Sequence, residues 1–268
     1  ALQAAPAGVI ANSYLEIVGR RLEYAWHGPV TARAPTLVFL PEGLGSLGLW
    51  RDFPAKLAAA CGCGALVYSR AGYGASDPAE LPRPVTYMHE EALTVLPAVL
   101  AASGVRRHIL VGHSDGASIA VINAGGAPQA GLCGLVLEAP HVFTEDMGIA
   151  AIAAAGEAYR SGELRRKLGR WHGANIDNAF CGWHDAWCDP AFRRWTIERY
   201  LPAIAVPALL IQGEDDQYGT VAQVEAVSRQ SGAPVRVLML PDCGHTPHRD
   251  QAEKARQAMA EFVRGLLA

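Results

Sequence analysis

The stretch His108-Ile-Leu-Val-Gly112-His113-Ser114-Asp115-Gly116-Ala117-Ser-Ile-Ala-Val121 decides how this chain folds. A short apolar run enters a serine framed by two glycines, and a helix-forming run leaves it. Gly-x-Ser-x-Gly alone is modest evidence: 28 glycines and about ten serines give roughly 0.1 chance occurrences. The context makes it specific, because this frame needs a buried strand before it and a helix after it. The glycines are required where neighbouring side chains would collide around a sharp strand-to-helix turn. Such a turn lifts the Ser114 hydroxyl above the sheet. It also sets the Asp115 amide at the positive end of the following helix. The competing reading, a glycine-flanked serine that merely caps a helix, does not need the strand.

Working outward, Tyr14–Val18 and Arg21–Trp26 alternate in polarity around Gly19-Arg20, which predicts an antiparallel hairpin. Thr36–Leu40, Ala65–Tyr68, His108–Gly112, Leu132–Leu137, Ala208–Ile211 and Val235–Leu240 are short apolar runs. Helical stretches lie between them, near Leu49–Ala60, Tyr87–Ser103 and Ala117–Ala124. Apolar runs alternating with amphipathic segments predict an α/β fold: a mostly parallel central sheet, begun by the hairpin and covered by helices on both faces. The alternation breaks once, between Ala139 and Val206, where only helical patches occur. Asp189-Pro190 reads as a helix start there, with Asp as N-cap and Pro in the first turn. An insertion of roughly 60 residues is too long for an ordinary connection and must be a helical subdomain. The expected division is a core of residues 1–141 and 201–268 and an inserted subdomain of 142–200. The Ala-rich residues 1–12 are expected to be a flexible tail, and no internal repeat is visible.

Composition narrows the partners. The sequence has 268 residues, 23 basic and 26 acidic, for a net charge of −3, which excludes the electropositive footprint of a nucleic-acid binder. No apolar run reaches the roughly 18–20 residues needed to span a bilayer, so no membrane partner is expected. The six cysteines are irregularly spaced and read as thiols packed like small hydrophobes. Cys181, His184 and Cys188 could be read as metal ligands, but no fourth ligand at a familiar spacing accompanies them, so no metal is expected. A reducing cytoplasm is the default location. Monomer and homodimer are equally compatible with the sequence.

A serine hydroxyl is a weak nucleophile and needs a base, itself oriented by a third group. The run Ala208–Gln212 ends at Gly213-Glu-Asp215-Asp216, which supplies an acid. The run Val235–Leu240 leads to Pro-Asp-Cys-Gly244-His245-Thr-Pro247, which supplies a base. Both lie in loops at carboxyl ends of strands, where open parallel sheets build their sites. Asp215 and Asp216 are the acids to weigh here.

Leu40-Pro-Glu-Gly-Leu-Gly-Ser46, Arg70-Ala-Gly-Tyr-Gly-Ala-Ser76, Gly112–Gly116, Gly213–Asp216 and Gly244-His245 together resemble the α/β-hydrolase superfamily, over about residues 14–268. The lidded carboxylesterase and C–C hydrolase branches are the most similar. The resemblance implies that the insertion is a lid and that Asp216, three residues after Gly213, completes a Ser114–Asp216–His245 triad. Asp215 is the fallback, and Glu138, just after the Leu135–Leu137 run, is a third candidate because some members of the family carry the acid on the preceding strand. It also implies an oxyanion hole of the Gly43 and Asp115 amides, and no cofactor. The usual His-Gly pair of the first oxyanion loop is here Pro41-Glu42-Gly43, a departure that puts a carboxylate beside a site that must hold negative charge. Glu42 is expected to turn toward neighbouring loop groups, or else to contact substrate.

The implied activity is hydrolysis of a small to medium carboxylic ester through an acyl-enzyme. C–C bond hydrolysis, thioester cleavage and perhydrolysis use the same triad and stay open, as does, in another class, a non-catalytic ligand-binding protein. Ser rather than Asp at position 114 excludes chemistry through an aspartyl ester. Four of the six tryptophans lie in the insertion, and Trp183 and Trp187 share a helical face by their i, i+4 spacing. They are expected either to pack the lid down or to roof the substrate. Trp50, Tyr73 and His141 are further candidates to line the cavity. The Asp115 side chain is expected either to help cap its helix or to select substrates bearing an ammonium group.

Overall fold

A computed structural model describes residues 13–29 and 34–267; the tail expected over residues 1–12 lies outside the described residues. The strands are β1 (Ser13–Ile17), β2 (Arg20–His27), β3 (Thr36–Leu40), β4 (Ala65–Tyr68), β5 (His108–His113), β6 (Leu132–Glu138), β7 (Ala208–Gly213) and β8 (Val235–Leu240). They form one 8-stranded sheet in the order β1-β2-β4-β3-β5-β6-β7-β8. The pairings β1/β2 and β2/β4 are antiparallel and all others parallel. The hairpin turns through Val18 and Gly19, both at positive φ (49° and 74°). That geometry matches the twist of paired strands and is natural for Gly19 but uncommon for a β-branched residue.

The central strands read as unbroken apolar runs because both faces are covered. Leu37, Phe39, Val67, Val111, Val136 and Ile211 face a core shared with α1 (Phe53–Cys61) and α10 (Ala252–Leu267). Val38, Leu40, Leu66, Leu110, Leu137 and Leu210 face the opposite core. That second layer is packed by the helical segment α2 (Tyr87–Glu90) to α3 (Leu96–Ser103), by α4 (Asp115–Gly126) and by α8 (Val221–Gln230). The period-2 alternation of strand side chains is thus divided between two apolar layers.

Two expected helices are interrupted. The stretch from Leu49 is a 3-10 turn (Leu47–Trp50), then Arg51 at φ 52°, and α1 begins only at Phe53, with Pro54 in its first turn. Between α2 and α3 the chain makes a π-helical turn, Glu91–Val95. Pro97 has no N–H to continue the ladder, and the preceding turn widens.

Between β6 and β7 lie α5 (Asp146–Arg160), α6 (Glu163–His172) and α7 (Ile176–Cys188), followed by 3-10 turns Pro190–Arg194 and Glu198–Ala203. An antiparallel bridge between Phe143 and Thr196 closes the base of this excursion. Asp189 caps the Pro190 turn through the Ala191 amide (2.7 Å), as its sequence indicated, although the turn is 3-10 rather than α. The excursion is clasped to the loop after β4. His172 Nδ1 accepts from Gly74 N (3.1 Å), Asn175 donates to the carbonyls of Gly74 and Ser76, and Asn178 pairs with both backbone groups of Ala79. Short α9 (Pro247–Asp250) leads into α10. Among the described residues no helix is long and apolar enough to cross a membrane.

Candidate active site

β5, β7 and β8 run parallel, so the loops after them open on the same edge of the sheet, and these loops carry Ser114, Asp216 and His245. Ser114 sits at φ 52°, ψ −117°, a conformation that costs a non-glycine residue of order 1–3 kcal/mol. The surrounding packing enforces it. A Cβ on Gly116 would lie 1.9 Å from the Leu40 carbonyl oxygen, and one on Gly112 would lie 2.4 Å from that of Gly116. The Ser114 amide donates to Glu138 O (2.9 Å), pinning the turn to β6.

The Ser114 hydroxyl lies 2.9 Å from His245 Nε2, and His245 Nδ1 lies 2.9 and 2.8 Å from the two Asp216 oxygens. With Nδ1–H donated to the carboxylate, Nε2 presents its lone pair to the serine. Gln212 Nε2 (2.7 Å) and the amides of Tyr218 (2.8 Å) and Gly219 (3.3 Å) hold Asp216. Burial disfavours its charge, but the hydrogen bond and charge of His245, with the Tyr218 amide, outweigh it and hold the carboxyl below its ordinary value. Of the other acids, Asp215 donates its amide to the Cys243 carbonyl, and fully buried Glu138 accepts from His248 Nδ1 (2.8 Å).

Gly43 lies beneath the Trp183 indole, where a Cβ would sit 2.2 Å from Nε1. Among the described residues, neither the Gly43 nor the Asp115 amide donates to a protein acceptor. Glu42 turns its carboxylate toward His113 (Oε2 to Nδ1, 3.8 Å) rather than to loop backbone groups. Burial opposes its ionisation, but His113, His245, His248 and Arg249 together hold its pKa low. His113 fixes the histidine loop, its Nε2–H donating to His245 O (2.7 Å).

The Asp115 carboxylate neither caps α4 nor stands free: it accepts from the Tyr87 hydroxyl, which also accepts from Trp187 Nε1 (3.0 Å). Burial raises its pKa, opposed first by Arg70. His141 brings its ring within 5.5 Å of His245 and meets Trp187 edge-on at 5.3 Å. Trp50 is not brought to the triad; it packs on Phe39 and His248 in the core shared with α1 and α10. The Tyr73 ring lies between the guanidinium groups of Arg70 and Arg83, each 4.9 Å away. Sequence reasoning passed over Arg70, Tyr87, His113 and Gln212. The tight Arg70-Ala-Gly-Tyr-Gly turn was the only available signal for the first. Among the described residues no three His, Cys, Asp or Glu side chains converge as metal ligands.

The sequence profile of the alpha/beta hydrolase family matches residues 37–258, and the chain belongs to that family. It is 24% identical over 255 residues to 2-succinyl-6-hydroxy-2,4-cyclohexadiene-1-carboxylate synthase of Serratia proteamaculans, covering 87% of this chain and 94% of the relative. Among solved structures, a thermophilic esterase from Thermogutta terrifontis superposes with a TM-score of 0.75 at 17% identity, over 97% of this chain and 100% of the other. The enol-lactonase of Burkholderia xenovorans LB400 superposes with 0.72 at 19% identity, over 94% and 100%. These likenesses fix the fold.

Proposed function

We propose that the chain is a serine hydrolase cleaving a small to medium carboxylic ester, on the strength of one observation: the unbroken hydrogen-bonded line Ser114–His245–Asp216 at the carboxyl edge of the sheet. His245 Nε2 takes the hydroxyl proton as Ser114 Oγ attacks the carbonyl carbon. The Gly43 and Asp115 amides face the developing oxyanion; removing one such donor costs about 3 kcal/mol. Asp216 stabilises the imidazolium, which returns the proton to the departing alcohol. Water, deprotonated by the same imidazole, then releases the acid and restores Ser114.

Residues 142–200 serve in this reading as a lid, with Trp183 over the oxyanion loop and Trp187 reaching His141 and Tyr87. C–C bond hydrolysis on the same triad is the second reading, favoured by the likeness to a synthase whose named product carries a succinyl group joined to a carbocycle through carbon. A fluorophosphonate probe should label the wild type and not Ser114→Ala. Turnover of p-nitrophenyl esters of increasing acyl length should pass through a maximum. Absence of labelling removes the hydrolase reading, whereas labelling with no ester turnover and cleavage of a vinylogous 1,5-diketone, whose leaving carbanion is a dienolate, favours the C–C reading.

A further inference from the structure

Arg70 is 1% exposed and stands among the largest fully buried side chains of the described residues. Its planar guanidinium grips two successive carbonyls at the end of β3: Nη1 donates to Pro41 O (2.6 Å) and Nη2 to Glu42 O (2.8 Å). The Tyr73 ring backs it, and Arg83 stacks on that same ring. A trans peptide holds its N–H antiparallel to its C=O. With the Glu42 carbonyl drawn to Arg70, the N–H of that same peptide, which belongs to Gly43, must point the opposite way. That N–H meets no protein acceptor among the described residues.

We infer that Arg70 is the positioning residue of the oxyanion hole, aiming the Gly43 amide by holding the carbonyl at the other end of its peptide bond. The inference rests on the serine-hydrolase reading and on Gly43 as an oxyanion donor. Arg70 does not touch substrate. Two effects follow from its grip. A flip of the Glu42–Gly43 peptide would present a carbonyl to a developing negative charge, and it would break both the bond from the guanidinium and the one the Glu42 carbonyl accepts from the Gly45 amide (3.0 Å). A cation at the carbonyl end also polarises the peptide, making its N–H more positive at no cost in reorganisation. In a loop where Pro41 has no amide to give and Glu42 brings a carboxylate, the fixed cation supplies the orientation. A forked donor is needed: a lysine ammonium in the same place is a point charge that cannot hold two carbonyls in one plane.

The test compares wild type, Arg70→Lys and Arg70→Gly on a p-nitrophenyl ester, with an aryl trifluoromethyl ketone as the probe that forms an oxyanion on Ser114. Arg70→Lys should lose about 10- to 100-fold in kcat, with KM within about threefold. The inhibition constant of the ketone should rise by the same factor as kcat/KM falls. Millimolar ethylguanidinium should restore turnover to Arg70→Gly and not to Arg70→Lys. Unchanged kcat in a folded Arg70→Lys overturns the inference while leaving the hydrolase reading standing. So does a loss confined to KM, or the absence of rescue in a folded Arg70→Gly. If neither variant folds, as read by near-UV circular dichroism, Arg70 is a structural residue and the inference fails. A wild type that is neither labelled by a fluorophosphonate nor inhibited by the ketone overturns the hydrolase reading itself, and the inference with it.

Discussion

Ser114 holds a left-handed backbone that only its neighbours make tolerable, and what it gains is exposure of its oxygen to His245. Ser114→Ala should lower kcat by about four to six orders of magnitude without loss of stability. Asp216→Asn should cost about 10⁴-fold, because an amide in that place favours the wrong imidazole tautomer. Steady-state kinetics with a burst assay for the acyl-enzyme checks both. The histidines around the site make a separate prediction. Burial, opposed by Glu42, pushes His113 down from 6.5 to about 4, and burial with His245 pushes His141 down to about 3. Both stay neutral in the folded protein while the unfolded chain protonates near 6.5. Their contribution is therefore complete above that pH and is lost as pH falls toward their folded values, at about 1.4 kcal/mol per pH unit for each. The urea midpoint should fall steadily from pH 6.5 to 4.5, and His113→Asn or His141→Asn should flatten that slope; an unaltered slope would show that neither imidazole is held neutral. At this scale Ser114, His245 and Asp216 were legible as a group, each following a readable strand. The fate of Asp115 was not. Its partner Tyr87 lies 28 residues earlier, and no local pattern couples them.

The element that matters most is the β5–α4 turn, where helix and sheet meet without room for a methyl group. Gly116→Ala should push α4 off the end of β3, costing about 1–3 kcal/mol in stability and moving the Asp115 amide with it. Calorimetry and ester turnover should fall together; a stable variant with lost activity would separate packing from amide position. Gly43→Ala acts at another contact. Its Cβ meets Trp183, so the oxyanion loop and α7 must part, and Trp183→Phe in the same chain should recover part of the loss in kcat. Strand positions were readable because the central strands are apolar on both faces and the β1–β2 hairpin alternates in polarity. Helix boundaries were less so. The first helix starts at Phe53 rather than near Leu49, with Pro54 in its first turn, and Pro97 follows a widened turn inside a Tyr87–Ser103 stretch whose ends stand as expected, effects the periodicity of apolar residues does not register.

At the scale of the molecule, the helical excursion is tied to the sheet domain by amide and imidazole bonds to the loop after β4, while the Phe143–Thr196 bridge closes its base. If residues 142–200 are a lid, loosening that clasp should free them alone. In Asn175→Ala, hydrogen exchange should rise about tenfold or more across α6 and α7 while β3 to β7 stay protected. A uniform rise would make the excursion part of the core.

The sequence by itself determined the strands, their order along the chain and the loops that carry Ser114, Asp216 and His245, because those features follow from local hydrophobic periodicity and turn chemistry. Only the tertiary structure decided which way the side chains between them face. Asp115 turns to Tyr87, Glu138 to His248, and Arg70 to the Pro41 and Glu42 carbonyls. A buried polar group must find a partner wherever the fold brings one, and the partners it found lie in other segments of the chain.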